Sequence, residues 1–480
     1  MRAVTLAMAD SDNDDGPSQA RLTQGSIVRH LVTQTTPMMV GVAAIMSVGI
    51  IDAYFVGQLG AAELAAVSFI FPVTVALQSL GVGVMAGISS VVSRALGGGD
   101  IERARRLGNL GIALSATFGL VLAALLYLLR MPLFRLMQAD ESLLPLIDAY
   151  MVPFAVGFPL LLLLMGVNGC LRAQGAAKRA SLILVSFAVA NWILDPILIT
   201  GAFGFEGFGV AGAAYATIGG WLVGGGIGFA LLETSEIRLA PRRLLECDWR
   251  EGTLAIVRVA GPASFSNSIN PIGLAVLTAF LAKFGQEAVA GFGAGGRLQS
   301  FAVVPLLGLS SSIGGIVGQN WGAHEFDRVR RALRWAGGFC ILYGLAVAAI
   351  LVAFREPLGA LFSDDPQVTG ALARYLEVAA WGYAGYGLLI VSNGALNAIG
   401  RAELALVQSL GRVLLVMVPV AFLVRGPWGA DGVYVGELAS NIVGGVVAAG
   451  VAGYIAGVGF FSRSDSGGAK SRKGAAHPQG

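Results

Sequence analysis

Residues 108–129 read GNLGIALSATFGLVLAALLYLL, a run without a single charged side chain. As an α-helix with a rise of about 1.5 Å per residue, this run spans the roughly 30 Å hydrocarbon core of a membrane. Eleven further apolar runs are separated by short polar segments, at 30–56, 64–92, 143–170, 180–203, 209–232, 254–282, 287–318, 334–354, 368–396, 403–424 and 430–456. The sequence therefore predicts an all-α polytopic membrane protein with twelve transmembrane helices.

The composition supports this fold class and narrows the function. The 480 residues are 55% apolar and 13% charged, and that charged share is about half of what a soluble domain carries. The three cysteines are far apart, and no H-E-x-x-H, G-x-S-x-G or P-loop motif is present, which argues against an enzyme and a bound cofactor. The net charge of +3 is too small to suggest nucleic-acid binding. We expect a monomer whose partners are membrane lipids and small organic molecules.

The two halves of the chain repeat one another at an offset of 225 residues. The matched pairs are Pro37–Pro262, Gly97–Gly322, Arg103–Arg328, Arg105–Arg330, Arg106–Arg331, Tyr150–Tyr375, Asn168–Asn393 and Gly175–Gly400. Near the end of each half the offset slips to 220, where GVAG at 209–212 matches GADG at 429–432. Six helices per half preserve the chain direction, so the halves are expected to be related by an axis along the membrane normal. Parallel repeats of this kind are typical of alternating-access transporters.

The repeat and the basic residues together predict the domain organisation. The predicted parts are a leader 1–29, an N lobe 30–232, a linker 233–253, a C lobe 254–457 and a tail 458–480. Of the 32 Lys and Arg residues, 23 lie in the termini and in the loops near 94–107, 172–179, 233–253, 322–333 and 397–402. Six lie on the opposite side and three inside helices. The positive-inside rule then predicts a multi-pass protein of the inner membrane with both termini in the cytoplasm.

Two acidic residues lie deep in apolar runs of the N lobe, Asp52 in GIIDAYFVG and Asp195 in ANWILDPILI. A charged carboxylate at that depth costs about 3 kcal/mol, so each is expected to be paired, protonated or bound to a cation. Asn191 lies one helical turn before Asp195 on the same helix face, and Thr217 offers a hydroxyl group. These oxygen atoms would suit Na⁺, with Asp52, Asn191 and Asp195 as its ligands. The two acids would equally carry a proton, because neighbouring carboxylates repel each other when both are charged.

The repeat provides an internal comparison for these acids. At the offset of 225, Asp52 corresponds to Leu277 and Asp195 to Val420. The acids are therefore a property of the N lobe and not of the duplicated scaffold. The alternative interpretation is that they lie near helix ends, where they are solvated or hydrogen-bonded for structural reasons.

One further deep acid, Glu437 in GVYVGELAS, belongs to the C lobe. Its repeat counterpart is Thr217, and it is expected either to line a central cavity or to pair with Arg412. Other polar side chains are candidates to line a substrate cavity, although each alone is more often a helix–helix hydrogen bond. They are Tyr54, Tyr150, Asn168, Asn267, Asn270, Asn393 and Asn397.

These residues resemble the multidrug and toxic compound extrusion (MATE) family. The markers are Pro37, DAYFVG at 52–57, NGCLRAQG at 168–175 and Asn191-x-x-x-Asp195, in this order within about residues 25–457. The resemblance implies a cation-coupled antiporter with twelve helices in two six-helix lobes, exporting organic and especially lipophilic cationic compounds. Acids confined to the N lobe, with none in 254–282, resemble the DinF-like branch more than the NorM-like branch. That branch implies coupling-ion binding at Asp52 and Asp195.

Several alternatives stay open at the level of sequence. A major facilitator also has a loop rich in Gly, Asp and Arg after its second span. A lipid-linked precursor flippase of the same wider superfamily would need several cationic groups for its anionic substrate, and the candidates are Arg258, Arg297 and Arg412. A membrane enzyme or sensor would need a nucleophile, a metal set or a soluble domain, and none is evident. The sequence does not distinguish H⁺ from Na⁺ as coupling ion.

Overall fold

The structure is a computed structural model that describes residues 20–473 except residues 205 and 245. Residues 1–19 of the predicted leader and 474–480 of the predicted tail lie outside this range. In the first half of the chain, six long helices follow one another through short connections. They are α1 (Ile27–Gly57), α2 (Ala61–Gly97), α3 (Ile101–Leu136), α4 (Leu144–Ala173), α5 (Ala177–Leu198) and α6 (Val210–Glu233).

The second half begins after a short 3₁₀ turn at Pro241–Leu244 and contains more interrupted helices. They are α7 (Trp249–Leu281), α8 (Gln286–Ala302), α9 (Val304–Gly322), α10 (Phe326–Ala353), α11 (Arg355–Ala360), α12 (Pro366–Ala379), α13 (Tyr383–Ala398), α14 (Ala402–Leu410), α15 (Val418–Trp428) and α16 (Ala430–Lys473). A π-helical stretch at Gly411–Met417 joins α14 to α15.

Most of the predicted spans are present as uninterrupted apolar helices. Within the described residues, ten helical segments are long and apolar enough to cross a membrane, and α8 with α9, bent by 44°, makes an eleventh. The predicted span 368–396 is divided by a 3₁₀ turn at Ala380–Gly382, so neither α12 nor α13 is long enough by itself. The all-α fold predicted from the apolar runs is confirmed.

Two helices begin earlier than the apolar runs suggest, because their first two turns are charged. The runs start at 108 and 334, whereas α3 begins at Ile101 and α10 at Phe326. The Asp100 side chain accepts a hydrogen bond from the backbone N–H of Arg103 at 2.9 Å and so caps α3. Acids at the start and arginines a turn later complement the helix dipole, as expected for these two stretches.

The helices form two lobes, α1–α6 and α7–α16, that meet along a seam. Within the N lobe, α4 packs against α2, α3 and α6, and α5 packs between α1 and α6. Across the seam, α2 packs against α7 and α9, and α1 packs against α9. The two-lobe architecture predicted from the repeat is therefore present.

A reciprocal contact across the seam reveals the symmetry between the lobes. A Cβ atom on Gly97 would lie 2.0 Å from the carbonyl oxygen of Gln319, and one on Gly322 would lie 2.1 Å from that of Arg94. Gly97 and Gly322 are repeat mates, and so are Arg94 and Gln319. Such a reciprocal contact is what a twofold axis produces. Both glycines end a helix at the same end of the bundle, so the axis runs along the helices, as predicted.

The slip in the repeat to an offset of 220 is also visible in the backbone. Gly209 has φ 59° and ψ −134°, and Gly429 has φ 60° and ψ −137°. Only glycine adopts this conformation readily, because it has no Cβ atom. The two positions precede the last helix of their lobes and are structural equivalents.

The described end of the leader is attached to both lobes. Leu22 is buried, and its backbone N–H donates to Oε1 of Gln319 at 3.1 Å. The Nε2 group of Gln319 donates in turn to the carbonyl oxygen of Ala173, at the end of α4, at 2.7 Å. Arg328 donates to the carbonyl oxygen of Gly25 at 2.8 Å. Residues 20–26 thus cover the seam at the end of the bundle where the arginine-rich loops lie.

Candidate functional site

The seam between the lobes is closed at one end, which we call the basic end because residues 94–107, 172–179, 233–253, 322–333 and 397–402 lie there. The Ser90 hydroxyl donates to the carbonyl oxygen of Asn397 at 2.5 Å, and the hydroxyls of Thr35 and Ser312 are 2.7 Å apart. The Arg172 guanidinium donates through Nε to the carbonyl oxygen of Ser311 at 3.2 Å. In the described part of the chain, the hydrogen bonds that join the lobes lie in this half of the molecule.

Three of the four predicted ion-site residues come together inside the N lobe. Asn191 and Asp195 lie on α5 with no exposed surface, and they are the polar neighbours that act directly on the Asp52 carboxyl of α1. Within the described residues, one oxygen of Asp52, both oxygens of Asp195 and both amide atoms of Asn191 are buried without a hydrogen-bond partner. The predicted proximity of these residues is thus present in the fold.

The packing of α1 against α5 places the acids opposite one another. The Ser181 hydroxyl of α5 donates to the carbonyl oxygen of Pro37 in α1 at 2.5 Å. A Cβ atom on Gly41 would lie 3.0 Å from the Ser181 hydroxyl oxygen, so the helices approach closely at this point. Four turns further along α1, Asp52 reaches the level of Asp195. Small residues at this contact allow the two backbones to approach.

Tyr150 of α4 borders the acid site. Its ring is buried and stacks on Phe154, with ring centroids 5.6 Å apart. The tyrosine lies close enough to Asp52 and Asp195 for both charges to act on its hydroxyl group. It was among the cavity candidates of the sequence, and the structure places it beside the acids.

The remaining predicted ligand, Thr217, is engaged within its own helix. Its hydroxyl donates to the carbonyl oxygen of Ala213, one turn earlier in α6, at 2.9 Å. The buried site therefore offers two carboxylates and one amide, all on α1 and α5. Each buried polar group without a partner costs about 1–3 kcal/mol. The site is thus chemically incomplete, and a proton or a small cation would complete it.

The predicted cavity residues divide into exposed and packed side chains. Tyr54 and Asn267 are exposed. Asn168 has no exposed surface and donates to the carbonyl oxygen of Ala180 at 2.8 Å. Asn168 therefore connects α4 to α5 and does not face a cavity.

The asparagines of the C lobe are likewise bonded to protein groups. Asn270 accepts a hydrogen bond from Arg412. Asn393 donates to the Ser409 hydroxyl at 3.0 Å, and Asn397 offers its backbone carbonyl to Ser90 across the seam, as described above. These side chains and carbonyls hold helices together in this conformation.

Glu437 lies inside the C lobe and not at an open cavity. Its side chain is 2% exposed, and its Oε1 atom accepts hydrogen bonds from Nε2 of Gln299 at 2.8 Å and from the Tyr375 hydroxyl at 3.4 Å. Arg412 is buried and acts on this charge from a distance, but it donates to Asn441 at 2.5 Å and to Asn270. Gln299 was not predicted; its only sequence signal is an amide within the apolar run 287–318.

Two helical lobes related by a twofold axis, with unpaired acids buried in one of them, define a membrane transporter of the alternating-access class. The MatE family model matches residues 37–197 and 262–423, two segments whose starts are 225 residues apart. The chain belongs to the MatE (MATE) family, whose members are transporters. The double match coincides with the two halves of the repeat.

Similar proteins include named transporters over nearly the whole chain. A Shewanella oneidensis protein named "FAD transporter" is 37% identical over 428 residues, which cover 88% of this chain and 94% of that protein. "Probable multidrug resistance protein YoeA" of Bacillus subtilis is 26% identical over 369 residues, covering 76% and 80% of the two chains. The crystal structure of the Vibrio cholerae MATE transporter VcmN has a TM-score of 0.85 and 29% identity, covering 89% and 96% of the two chains.

Proposed function

We propose that this chain is a cation-coupled antiporter that exports organic compounds by alternating access, with its coupling ion at Asp52 and Asp195. The observation that carries the proposal is the buried and unpaired state of both Asp195 oxygens opposite Asp52. A transporter driven by an ion gradient needs a site whose occupancy changes the balance between its conformations. An acid pair between α1 and α5 satisfies this need, because adding or removing positive charge changes how closely the two helices pack.

We take the proton as the favoured coupling ion. Hard cations require several oxygen ligands, and the Thr217 hydroxyl, the predicted fourth ligand, is bonded within its own helix. A proton needs only one of the two carboxylates and relieves the repulsion between them. Na⁺ at Asp52, Asn191 and Asp195 is the alternative, and it requires Thr217 or water to complete the shell.

We further propose that the basic end faces the cytoplasm, in accordance with the charge distribution of the loops. The closed seam at that end then corresponds to a state that is open to the outside. In this state the coupling ion enters from outside, and its binding drives the change to the inward-open state. The N-lobe position of the acids supports membership of the DinF-like branch.

The substrate class is the least constrained part of the proposal. The lipophilic cations implied by the family are one candidate. An anionic flavin dinucleotide is a second, favoured by the relative named for FAD transport and by Arg297, which is exposed on the same α8 face as Gly293 and Ser300. Arginine among lipid tails costs at least about 3 kcal/mol, so this face is expected to line a watery cleft. A lipid-linked precursor would require more cationic groups there, since Arg412 is buried in the C lobe.

The test is transport by purified protein in liposomes under a pH gradient alone or a Na⁺ gradient alone. Ethidium and FAD serve as substrates, and the variants are Asp52→Asn and Asp195→Asn. Glu377→Gln, an exposed acid paired with Arg374, is the matched control. We expect transport driven by the pH gradient, lost in both aspartate variants and retained in the control. Undiminished ion-driven transport in the aspartate variants would refute the assignment of the ion site.

Selectivity is tested in the same system with Arg297→Gln. If FAD is the substrate, this variant loses FAD transport and wild type does not move ethidium. If a lipophilic cation is the substrate, wild type moves ethidium and Arg297→Gln leaves that transport intact. Transport of a lipid-linked sugar, without either compound, would select the flippase.

A further inference from the structure

The C lobe contains a buried acid for which the proposed N-lobe mechanism has no use. Glu437 on α16 accepts hydrogen bonds at Oε1 from Gln299 and Tyr375, while its Oε2 atom is buried without a partner in the described residues. Three elements from distant parts of the chain, α8, α12 and α16, build this arrangement. It is a constructed polar site inside an otherwise apolar lobe.

The site occupies the same place in the C lobe as the acid pair does in the N lobe. Tyr375 borders Glu437, and its repeat mate Tyr150 borders Asp52 and Asp195. Glu437 itself corresponds to Thr217 at the offset of 220. Each lobe therefore places carboxylate next to the same tyrosine, but it does so from different helices. Two independent sequence solutions to one position indicate that an acid at this place has a use in both lobes.

The surroundings suit a proton better than a metal ion. The titratable and charged groups that act on Glu437 are Tyr375, Tyr383, Tyr386 and Arg412. There is one carboxylate, and a neighbouring guanidinium repels a second cation. Arg412 does not neutralise the carboxylate by contact, because its two terminal nitrogens donate to Asn441 and Asn270. A buried carboxylate with one oxygen lacking a donor is costly as an anion, and a proton on Oε2 removes that cost.

We propose that Glu437 is a second proton-binding site, located in the C lobe, that takes up and releases a proton during the transport cycle. This inference rests on the proposed antiport function and extends it to two sites. An O–H bond forms at Oε2 on uptake and breaks on release, and no other bond changes. Gln299 and Tyr375 hold Oε1 in both forms, so that only Oε2 exchanges its proton.

The test is infrared difference spectroscopy of the full chain in lipid, with and without transported substrate. A protonated carboxyl group in a dry site has a C=O stretching band separate from those of ionised carboxylates. We expect one such band to change on substrate binding, to be absent in Glu437→Gln, and to persist in the double variant Asp52→Asn with Asp195→Asn. Tyr375→Phe should move the band to higher frequency, because a C=O that accepts fewer hydrogen bonds stretches at higher frequency. It retains Glu437 and gives an independent check if Glu437→Gln folds poorly.

A band that survives in Glu437→Gln, or one that does not respond to substrate, would overturn the proposal. Failure of the N-lobe site is seen separately, because it leaves ion-driven transport intact in the aspartate variants of the liposome experiment. The proton-to-substrate ratio provides a second measurement. It should fall by one proton per substrate in Glu437→Gln and stay unchanged in Glu377→Gln. An unchanged ratio in Glu437→Gln would also contradict a second site.

Discussion

The polar interiors of the two lobes differ in a way that their common fold does not require. In the N lobe, Asp52, Asn191 and Asp195 face one another, with five buried atoms unsatisfied. In the C lobe, Glu437 is held at one oxygen by Gln299 and Tyr375. The first arrangement lacks a ligand, whereas the second is largely completed by the protein itself. The comparison indicates that duplication supplied the scaffold and that the chemistry of each lobe arose separately.

The largest expected effect comes from removing both charges of the N-lobe pair. The variant Asp52→Asn with Asp195→Asn should reduce transport driven by a pH gradient to the rate of liposomes without protein, since no site remains for the coupling ion. Exchange of labelled substrate without a gradient should continue, because the seam and the cleft are unchanged. Loss of both activities would indicate a folding defect, and retention of both would indicate that the two lobes do not differ in function.

The next effect concerns the place where the lobes are equivalent, the reciprocal glycine contact at the basic end. Gly97→Ala and Gly322→Ala each place a Cβ atom about 2 Å from a backbone carbonyl of the other lobe. Overpacking of this kind costs about 1–3 kcal/mol, which shifts the equilibrium away from the closed seam. Labelling of Ser90→Cys by a water-soluble maleimide should speed up equally in both variants.

Gly338→Ala on α10 is the control for this contact, because open space surrounds that glycine. Its labelling rate should equal that of the parent protein. Acceleration in only one of the two seam variants would contradict the twofold relation between the lobes.

A smaller effect is expected when the partner amide of each lobe is replaced by leucine. Gln299→Leu removes a donor to Glu437 and should destabilise the protein by about 1–3 kcal/mol. Asn191→Leu removes an amide that has no partner and should be neutral or stabilising. Thermal unfolding in detergent, followed by near-ultraviolet circular dichroism, distinguishes them. Equal losses of stability would mean that Asn191 is bonded as tightly as Gln299.

The smallest effect is expected from acids on the opposite side of the bundle. Asp148 pairs with Arg130, and Glu377 pairs with Arg374, both near the surface. Exposed pairs of this kind contribute about 0–1 kcal/mol, so Asp148→Asn and Glu377→Gln should leave transport unchanged in either lobe. A large loss of transport in one variant alone would place a functional acid outside the two buried sites.

Much of this arrangement could be predicted from sequence, because it follows from hydropathy, the repeat and local spacing. Apolar runs predicted the helices, and the four-residue spacing of Asn191 and Asp195 predicted their common face. The division of the span 368–396 at Ala380–Gly382 was not predicted, because α12 and α13 together retain the composition of one helix. The contact of Gln299 with Glu437 was not predicted either. It joins residues 138 positions apart and depends on the rotation of α8, which hydropathy does not specify.

The central claim, that substrate and coupling ion compete through the N-lobe acids, is tested most directly by proton release. Substrate is added to purified protein in weakly buffered solution, and released protons are counted with a pH dye for wild type, the double aspartate variant and Glu377→Gln. The account predicts release from wild type and Glu377→Gln and the loss of the N-lobe contribution in the double variant, leaving at most the proton of Glu437. Release of the same size from wild type and the double variant would contradict it.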